Sequence, residues 1–340
     1  MSDPTTPDPG TPGTPAAAAT AGDAQAADVQ GMTVVARTQG QMVRRRFFRH
    51  RAAMAGLITL LLIVVLAFSS IGFANVPGWW DKDYWSIATV ENGGRPTLSV
   101  LPTWLGGSGV HLGEHPFGQD NVGKDYFALT MRGVQQSITI AFIVGLVGTV
   151  IGTLVGATAG YFRGRVEAVL MRFTDVMITI PLLVVAAVLG RRYGDSGIVV
   201  LGLVIGLVTW TNLARLVRGE FLALREKEFV EAARAAGTSA RRIIVKHMLP
   251  NIVGVIIVSA TLAIAMAILL EASLSFLGFG VQDPDTSLGK LISTYQTAFS
   301  TRQWLFWFPG IFIIAIALSV NFIGDGLRDA FDPRQNRVRD

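Results

Sequence analysis

The chain has 340 residues, of which 51% are hydrophobic and 16% are charged, and its formal net charge at pH 7 is +5. Soluble domains carry about 25% charged residues, so this composition favours a protein that lies largely in lipid. The absence of cysteine excludes disulfide bonds, thiolate metal sites and a cysteine nucleophile.

The N-terminal segment, residues 1–42, is rich in Pro, Thr, Ala and Gly and has almost no large apolar side chains. Such a segment buries too little surface to offset its ordering entropy, so we predict a disordered cytoplasmic tail. Residues 43–340 are predicted to form one transmembrane domain. It begins with a cluster of five arginines: Arg44, Arg45, Arg46, Arg49 and Arg51.

Six apolar stretches follow this cluster, at residues 52–74, 135–161, 174–189, 197–214, 252–270 and 305–323. A membrane-spanning helix needs about 20 predominantly apolar residues. The pattern therefore predicts an all-α polytopic membrane protein with six transmembrane helices. The third stretch is short and contains Pro181, so we expect it either to extend back to Arg172 or to sit at an angle.

The distribution of Lys and Arg predicts the orientation of the chain. If the N-terminus is cytoplasmic, 20 of the 29 Lys and Arg residues fall in cytoplasmic segments and 8 in outer segments. The positive-inside rule then places both termini in the cytoplasm. Because topology explains the basic charge, we expect a lipid bilayer and no nucleic acid as its partner.

The second stretch has glycine at every fourth position over one region, namely Gly148, Gly152, Gly156 and Gly160, with Gly145 nearby. Small residues at this spacing allow another helix to approach closely. That helix belongs either to the same subunit or to a second subunit, and the sequence leaves both open.

A long outer loop is predicted at residues 75–134, and it contains Trp79, Trp80, Trp85 and Trp104. These side chains are typical of an interfacial aromatic belt. Contact with a soluble partner is the alternative.

One motif in this loop resembles a zinc site. His111, Glu114 and His115 match the H-x-x-E-H pattern of zinc peptidases. That chemistry needs a helix, which Gly113 and Pro116 disfavour. We therefore predict a loop with solvated histidines and no catalytic metal, while transient metal contact stays open.

A second motif matches the spacing of a phosphate-binding loop, from Gly118 to Gly123 and Lys124. Asp125 stands where a Ser or Thr must reach Mg²⁺. We therefore predict a turn that leads into a short helix before the second span, and no nucleotide site.

Polar side chains within spans are costly and mark either structural pairs or positions that gate a pathway. Arg172 and Asp175 are three residues apart and are predicted to pair on one helix face. Glu271 is predicted to close the fifth span at its outer end, and Asn321 and Asp325 lie four residues apart at the inner end of the sixth. Few ionisable groups fall at mid-depth, which argues against a stand-alone secondary transporter.

The longest cytoplasmic loop, residues 215–250, is predicted to form two short helices. Residues 220–236 favour the first helix, Gly237 is a natural stop, and Thr238 or Ser239 can cap a second helix that runs to Pro250. The first helix carries a stripe of mostly small apolar residues, namely Phe229, Ala232, Ala233 and Ala236. The stripe suits a protein partner better than a bilayer surface, because alanine is a poor membrane anchor.

The motif Glu231-Ala232-Ala233, followed by Gly237 and Leu249-Pro250, resembles the cytoplasmic signature of ABC-importer permeases. The resemblance implies a type I ABC-importer permease fold, in which this loop forms a coupling helix seated in a cleft of an ATP-hydrolysing subunit. We therefore assign ATPase coupling to these six residues and Phe229. One departure is His247, where the family usually has an aliphatic residue.

Residues 115–125, 274–282 and 321–329 resemble the C-type permease of dipeptide, oligopeptide and nickel importers, although Leu288 replaces the family's usual Trp. The resemblance implies a non-enzymatic permease of the bacterial plasma membrane. The implied partners are a homologous second permease, two ATPase subunits or one fused chain, and an extracytoplasmic binding protein. This chain would bind no cofactor, while ATP and Mg would lie on the ATPases.

The implied substrates are dipeptides and oligopeptides, with nickel or another small solute as the alternative. A membrane metalloenzyme that uses His111, Glu114 and His115 is the rival interpretation. It predicts an activity that a chelator removes.

Overall fold

The computed structural model describes residues 39–73, 76–99, 104, 109 and 111–332. The tail predicted to be disordered falls outside the described residues up to position 38. Its last four residues, 39–42, begin the first helix. Residues from Met42 onwards belong to one compact unit, and the features below lie within it except for residues 39–41 at the start of the first helix.

The described residues form helices of very different lengths. They are α1 Gln39–Arg49, α2 Arg51–Ser70, α3 Tyr126–Phe162, α4 Gly164–Thr179, α5 Leu182–Tyr193, α6 Ile198–Gly206, α7 Thr211–Arg225, α8 Glu228–Ala235, α9 Ala240–Arg242, α10 Leu249–Phe276, α11 Leu288–Tyr295 and α12 Trp304–Phe331. Short 3-10 turns lie at Asn92–Gly94, Gly194–Ser196 and Gln296–Ser300, and a π-helical stretch, Ile243–Met248, joins α9 to α10. Strands β1 Gly72–Phe73 and β2 Val76–Pro77 pair antiparallel, with Gly72 opposite Pro77.

Four helical segments are long and apolar enough to cross a membrane: α2, α3, the continuous run Ala240–Phe276, and α12. Two bent pairs also qualify when each pair is taken together, α4 with α5 and α6 with α7. Counting each bent pair as one crossing gives the six predicted spans.

The third predicted span, residues 174–189, is not one straight helix, because α4 and α5 meet at an angle of 83°. Pro181 lies at the break and has no N–H to donate to the preceding turn. Ile180, the residue before it, is extended at φ −85° and ψ 126°, as the proline ring requires. The expectation that this stretch sits at an angle therefore agrees with the structure.

Helix α3 begins at Tyr126, earlier than the predicted start at 135, because Asp125 caps it. The Asp125 Oδ1 atom accepts a hydrogen bond from the Ala128 N–H at 2.7 Å. The turn before it is organised by Asp120, whose Oδ1 accepts from the N–H groups of Val122 and Lys124 at 2.9 and 2.8 Å. This turn leads directly into the span, so the separate short helix predicted here does not form.

The glycine row of α3 packs inside the subunit. A Cβ on Gly148 would lie 2.8 Å from Thr209 Oγ1, and one on Gly152 would lie 2.8 Å from the Trp210 carbonyl oxygen. Gly156 and Gly160 face Ala214 and other residues of α7 in the same way. The structure thus selects close packing within one chain from the two alternatives.

The outer segment is tied to α11 through Asp120. Burial, together with the Asp120 carboxylate, raises the pKa of the Tyr295 phenol, so the hydroxyl stays protonated and donates to Asp120 Oδ2 at 2.8 Å. Arg302 Nη1 donates to the Asp120 carbonyl oxygen at 2.8 Å. These contacts connect the loop before α3 to the segment before α12.

Candidate coupling surface and translocation groove

The cytoplasmic helix α8 is anchored by one buried side chain. Val230 is fully buried and packs in a small apolar cluster with Phe221 of α7, Ile243 and Met248. Glu228 and Glu231 lie in the first turn of α8, where negative charge stabilises the positive end of the helix dipole. The cluster therefore fixes α8 against the end of a span.

The predicted helix over residues 220–236 is wrong in one respect, because the chain breaks at Glu226 and Lys227. Helix α7 continues out of its span to Arg225, and Lys227 N–H then donates to the Leu224 carbonyl oxygen at 3.1 Å. This turn lets Val230 fold back onto α7, and burial of that side chain outweighs the local helix preference of the sequence.

Gly237 ends α8 as predicted. Its φ is +72°, and its N–H donates to the Arg234 carbonyl oxygen at 2.9 Å while Thr238 N–H donates to the Ala233 carbonyl oxygen at 3.1 Å. These two bonds form a Schellman motif, which favours glycine at the left-handed position. Ser239 occupies the cap position of α9 without a side-chain hydrogen bond, so neither predicted hydroxyl cap forms there.

The predicted stripe on α8 divides between two surfaces. Ala233 is half-buried against the apolar cluster, whereas Phe229, Ala232 and Ala236 are exposed. Glu231 is exposed as well. We call Phe229, Ala232 and Ala236, which share one side of α8, the coupling face.

Leu249 lies at the same apolar cluster as Val230, while Pro250 is exposed. Pro250 stands in the first turn of α10, so the next span opens there as predicted. The second short helix is not separate from that span, because Ala240–Phe276 forms one continuous helical run. The π-helical stretch ends at Met248, just before Leu249 and Pro250, and Leu249 N–H donates to the Ile244 carbonyl oxygen. Such stretches are a recognised way for a helix to pass an irregular position.

Asp175 pairs with Arg215 and not with Arg172, which corrects the predicted pair. Its Oδ1 atom lies 3.2 Å from Arg215 Nη2 on α7. Arg172 lines a polar groove of about 520 Å³ together with Asp175, Arg215 and Arg218. The difference arises from tertiary packing, because α7 brings Arg215 next to Asp175 of α4. The spacing of residues along α4 alone does not predict this contact.

The two polar residues predicted near the inner end of the last span lie on α12. Asn321 is half-buried and Asp325 is exposed. Among the described residues, no hydrogen bond joins the two side chains.

Glu271 lies within α10, which continues to Phe276, so it does not close the helix as predicted. It is 1% exposed. Its Oε2 accepts from Ser137 Oγ of α3 at 2.9 Å, and its Oε1 accepts from Ser275 Oγ at 2.7 Å. The carboxylate therefore joins two spans.

The same network reaches the outer segment between α10 and α12. Ser137 Oγ accepts from Leu288 N–H at 3.2 Å, and Ser275 Oγ accepts from Val281 N–H at 3.2 Å. Ser287 Oγ donates to Ser275 Oγ at 3.1 Å. Because the Ser137 and Ser275 hydroxyl oxygens accept elsewhere, their protons point towards Glu271. The arrangement fits a group that only accepts hydrogen bonds.

Substitution of Glu271 with glutamine is expected to destabilise the folded chain by about 1–3 kcal/mol. Both neighbouring serine hydroxyls donate to this side chain, so the NH₂ group of the glutamine would face another donor. A buried donor would then be left without an acceptor. The thermal unfolding midpoint of the purified chain in detergent measures the effect. The exposed Glu114 provides a matched control, since E114Q should leave the midpoint unchanged. Equal midpoints for E271Q and E114Q would contradict the role assigned to the network.

The outer histidines do not form a metal site among the described residues. The chain from His111 to His115 is not helical, and Gly113 has a φ of +67°. The prediction of solvated histidines is wrong for His115, which is buried. Its Nδ1 lies 2.7 Å from Asp125 Oδ2, and Lys82 Nζ lies 3.2 Å from its Nε2. Because the lysine can only donate, the His115 proton belongs on Nδ1.

A groove of about 530 Å³ between α5, α7 and α10 was not predicted from the sequence. None of its lining residues is charged. The neutral polar members are Thr209, Asn212, Ser259 and Ser273. Such residues give no strong sequence signal, because hydroxyl and amide side chains are common on helices. The groove nevertheless offers hydrogen-bonding groups on an otherwise apolar wall.

Comparison with protein families gives two matches. Residues 148–337 match the family described as binding-protein-dependent transport system inner membrane component. Residues 38–81 match the N-terminal transmembrane domain of oligopeptide transport permease C.

Curated relatives cover nearly the whole chain. The oligopeptide transport system permease protein OppC of Haemophilus influenzae is 36% identical over 91% of this chain and 94% of that protein. The OppC proteins of Escherichia coli K12 and Mycobacterium tuberculosis H37Rv are 37% and 38% identical, over 89% and 88% of this chain and 94% and 96% of theirs.

A solved structure described as inward-facing conformations of the MetNI methionine ABC transporter contains a chain that matches with a TM-score of 0.50 at 20% identity. The match covers 60% of this chain and 96% of that one. This likeness concerns the fold, and it supports the predicted all-α, type I ABC-importer permease architecture.

Proposed function

The chain belongs to the family of binding-protein-dependent transport system inner membrane components, and on that premise we propose that it carries oligopeptides across the membrane as one half of a paired permease. In this proposal a homologous second permease completes the pathway, and an extracytoplasmic binding protein delivers the substrate. Two ATPase subunits, or one fused chain, bind ATP and Mg on the cytoplasmic side.

The coupling face is the single observation that carries the proposal. It presents Ala232 and Ala236 beside Phe229, all exposed, on a helix whose other side is fixed by the buried Val230. Small exposed side chains allow a partner backbone to approach closely, and a single protruding aromatic residue can fill a pocket in that partner. The surface therefore suits rigid seating in an ATPase cleft.

Transmission of force follows from how α8 is held. Val230 and Leu249 share one apolar cluster with residues of α7 and the start of α10. Movement of the coupling face is thereby passed to two spans at once. Coupling requires that this face contacts two states of the ATPase with different free energies. In this proposal both chain termini lie in the cytoplasm, as the distribution of Lys and Arg predicts.

The groove between α5, α7 and α10 is assigned to the pathway. Its uncharged wall with Asn212, Ser259 and Ser273 offers hydrogen bonds to peptide groups and holds no fixed charge that would trap a charged side chain. An oligopeptide of any sequence would bind it weakly, which suits passage more than storage.

Filling the groove is expected to block transport. In the assembled importer in liposomes, S259W should reduce oligopeptide uptake to background, because the indole occupies the groove. The matched control is I257W on the same helix, since Ile257 is 38% exposed and does not line the groove. Normal uptake by S259W, or equal loss in both variants, would contradict the assigned pathway.

The substrate class has a separate test. Mass spectrometry of the ligand retained by the co-purified binding protein should find oligopeptides. Transport by this chain alone in liposomes would overturn the proposal that it acts as one subunit of a larger importer.

A further inference from the structure

Helix α1 lies directly before the span α2, and one of its faces is already occupied. Arg46 Nη1 donates to the Asp332 carbonyl oxygen at 3.1 Å. His50, which follows α1 and caps α2, has its Nε2 3.3 Å from Asp329 Oδ2. Phe47 also reaches the C-terminal helix, close to Gly326. These contacts fix the rotation of α1 relative to α12.

The opposite face of α1 consists of Arg44, Arg45, Phe48 and Arg49, which are all exposed; we call these four residues the α1 basic patch. Phe48 is 55% exposed and stands among the three arginines, since positions three and four apart share a helix face. No ion pair to these arginines is present within the described part of the chain. A fixed helix thus presents three guanidinium groups around one aromatic ring.

We propose that the α1 basic patch binds the headgroups of anionic phospholipids in the leaflet where α2 begins. Along the helix, Arg44 lies within about 10 Å of the start of α2 at Arg51, so the patch is near the membrane surface. Guanidinium groups form paired hydrogen bonds with phosphate, and an aromatic ring suits the interfacial layer. Basic clusters next to a span attract anionic lipid.

Lipid fits the patch better than the N-terminal tail of the chain. Residues 1–38 contain only four carboxylate side chains, at Asp3, Asp8, Asp23 and Asp28. They are spread along the segment, whereas three neighbouring arginines need several anionic groups at one place. The bilayer around α2 supplies such groups at high density. The inference needs only the span α2 and is independent of the proposed substrate and coupling.

The test uses the full chain in a neutral detergent, titrated with dioleoylphosphatidylglycerol or dioleoylphosphatidylcholine. Native mass spectrometry counts the retained lipids. The patch variant is R44Q/R45Q/R49Q, and R241Q/R242Q/K246Q removes the same charge from exposed positions elsewhere. Since each basic residue near an anionic surface contributes about fivefold to binding, the patch variant should bind phosphatidylglycerol roughly 100-fold more weakly. The control should bind it like the wild type.

Two further variants keep the test decisive. R44K/R45K/R49K should retain most of the binding, whereas F48S should weaken it without any change in charge. The inference is overturned if the patch variant binds phosphatidylglycerol as the wild type does, or if phosphatidylcholine is retained equally well. It is also overturned if inorganic phosphate displaces the lipid, or if deletion of residues 2–38 is needed before binding appears.

Discussion

Replacement of Gly237 with valine is expected to uncouple ATP hydrolysis from transport in the assembled importer, whereas asparagine at the same position should preserve most of the coupling. Gly237 has a φ of +72°, a conformation that costs an ordinary residue about 1–2 kcal/mol and a β-branched residue more. Asparagine tolerates this conformation. An added Cβ would meet no atom within 4 Å, so the expected effect comes from the backbone and not from a clash.

The loss would arise because relief of the strain breaks the two bonds that end α8, from Gly237 to Arg234 and from Thr238 to Ala233. The coupling face then loses its fixed position relative to Val230. Uptake and binding-protein-stimulated ATPase activity of the reconstituted complex measure the effect, with subunit composition checked by size exclusion. A fully coupled G237V complex, or equal loss in G237N, would refute the role assigned to this turn.

Local sequence signals predicted much of this architecture because they depend on neighbouring residues alone. The long apolar runs became α2, α3, α10 and α12. The stop at Gly237 formed because a left-handed residue is needed wherever a helix ends in this motif.

The bend between α6 and α7 shows what the local signals lack. No proline lies at this 45° break. Instead, Trp210 Nε1 donates to the Leu207 carbonyl oxygen at 2.9 Å and Thr209 Oγ1 to the Gly206 carbonyl oxygen at 3.3 Å. Side chains thus satisfy carbonyl groups that a continuous helix would pair. The Thr209 hydroxyl faces Gly148 of α3, and the Trp210 backbone carbonyl faces Gly152. The bend follows from packing between helices far apart in sequence.

Partners distant in sequence explain the other differences. Asp175 has Arg172 three residues before it on the same helix, yet its ion-pair partner is Arg215 of α7. The motif around His115 predicts a solvated side chain. In the structure, however, the His115 ring is buried and contacts Asp125 and Lys82. In both cases the residue types were informative about charge and hydrogen bonding. Only the fold decides which partner they meet.

Substitution of Gly156 with alanine is expected to destabilise the chain by about 1–3 kcal/mol, as overpacking of a close interface does. A Cβ at this position would collide with the Ala214 carbonyl oxygen and lie 2.8 Å from Val217 Cβ and 3.0 Å from the Arg218 nitrogen. Two of these atoms belong to the backbone of α7, so a rotamer change cannot relieve the contact.

The matched control is Gly219, which lies on α7 and whose added Cβ would meet no atom within 4 Å. G219A should raise stability by up to about 1 kcal/mol, because alanine favours the helix over glycine. Thermal unfolding midpoints in detergent should therefore shift in opposite directions for the two variants. A G156A midpoint at or above that of the wild type would mean that α3 and α7 can move apart without loss of stability. The close approach of these two helices would then not hold α7 and the adjoining α8 in place.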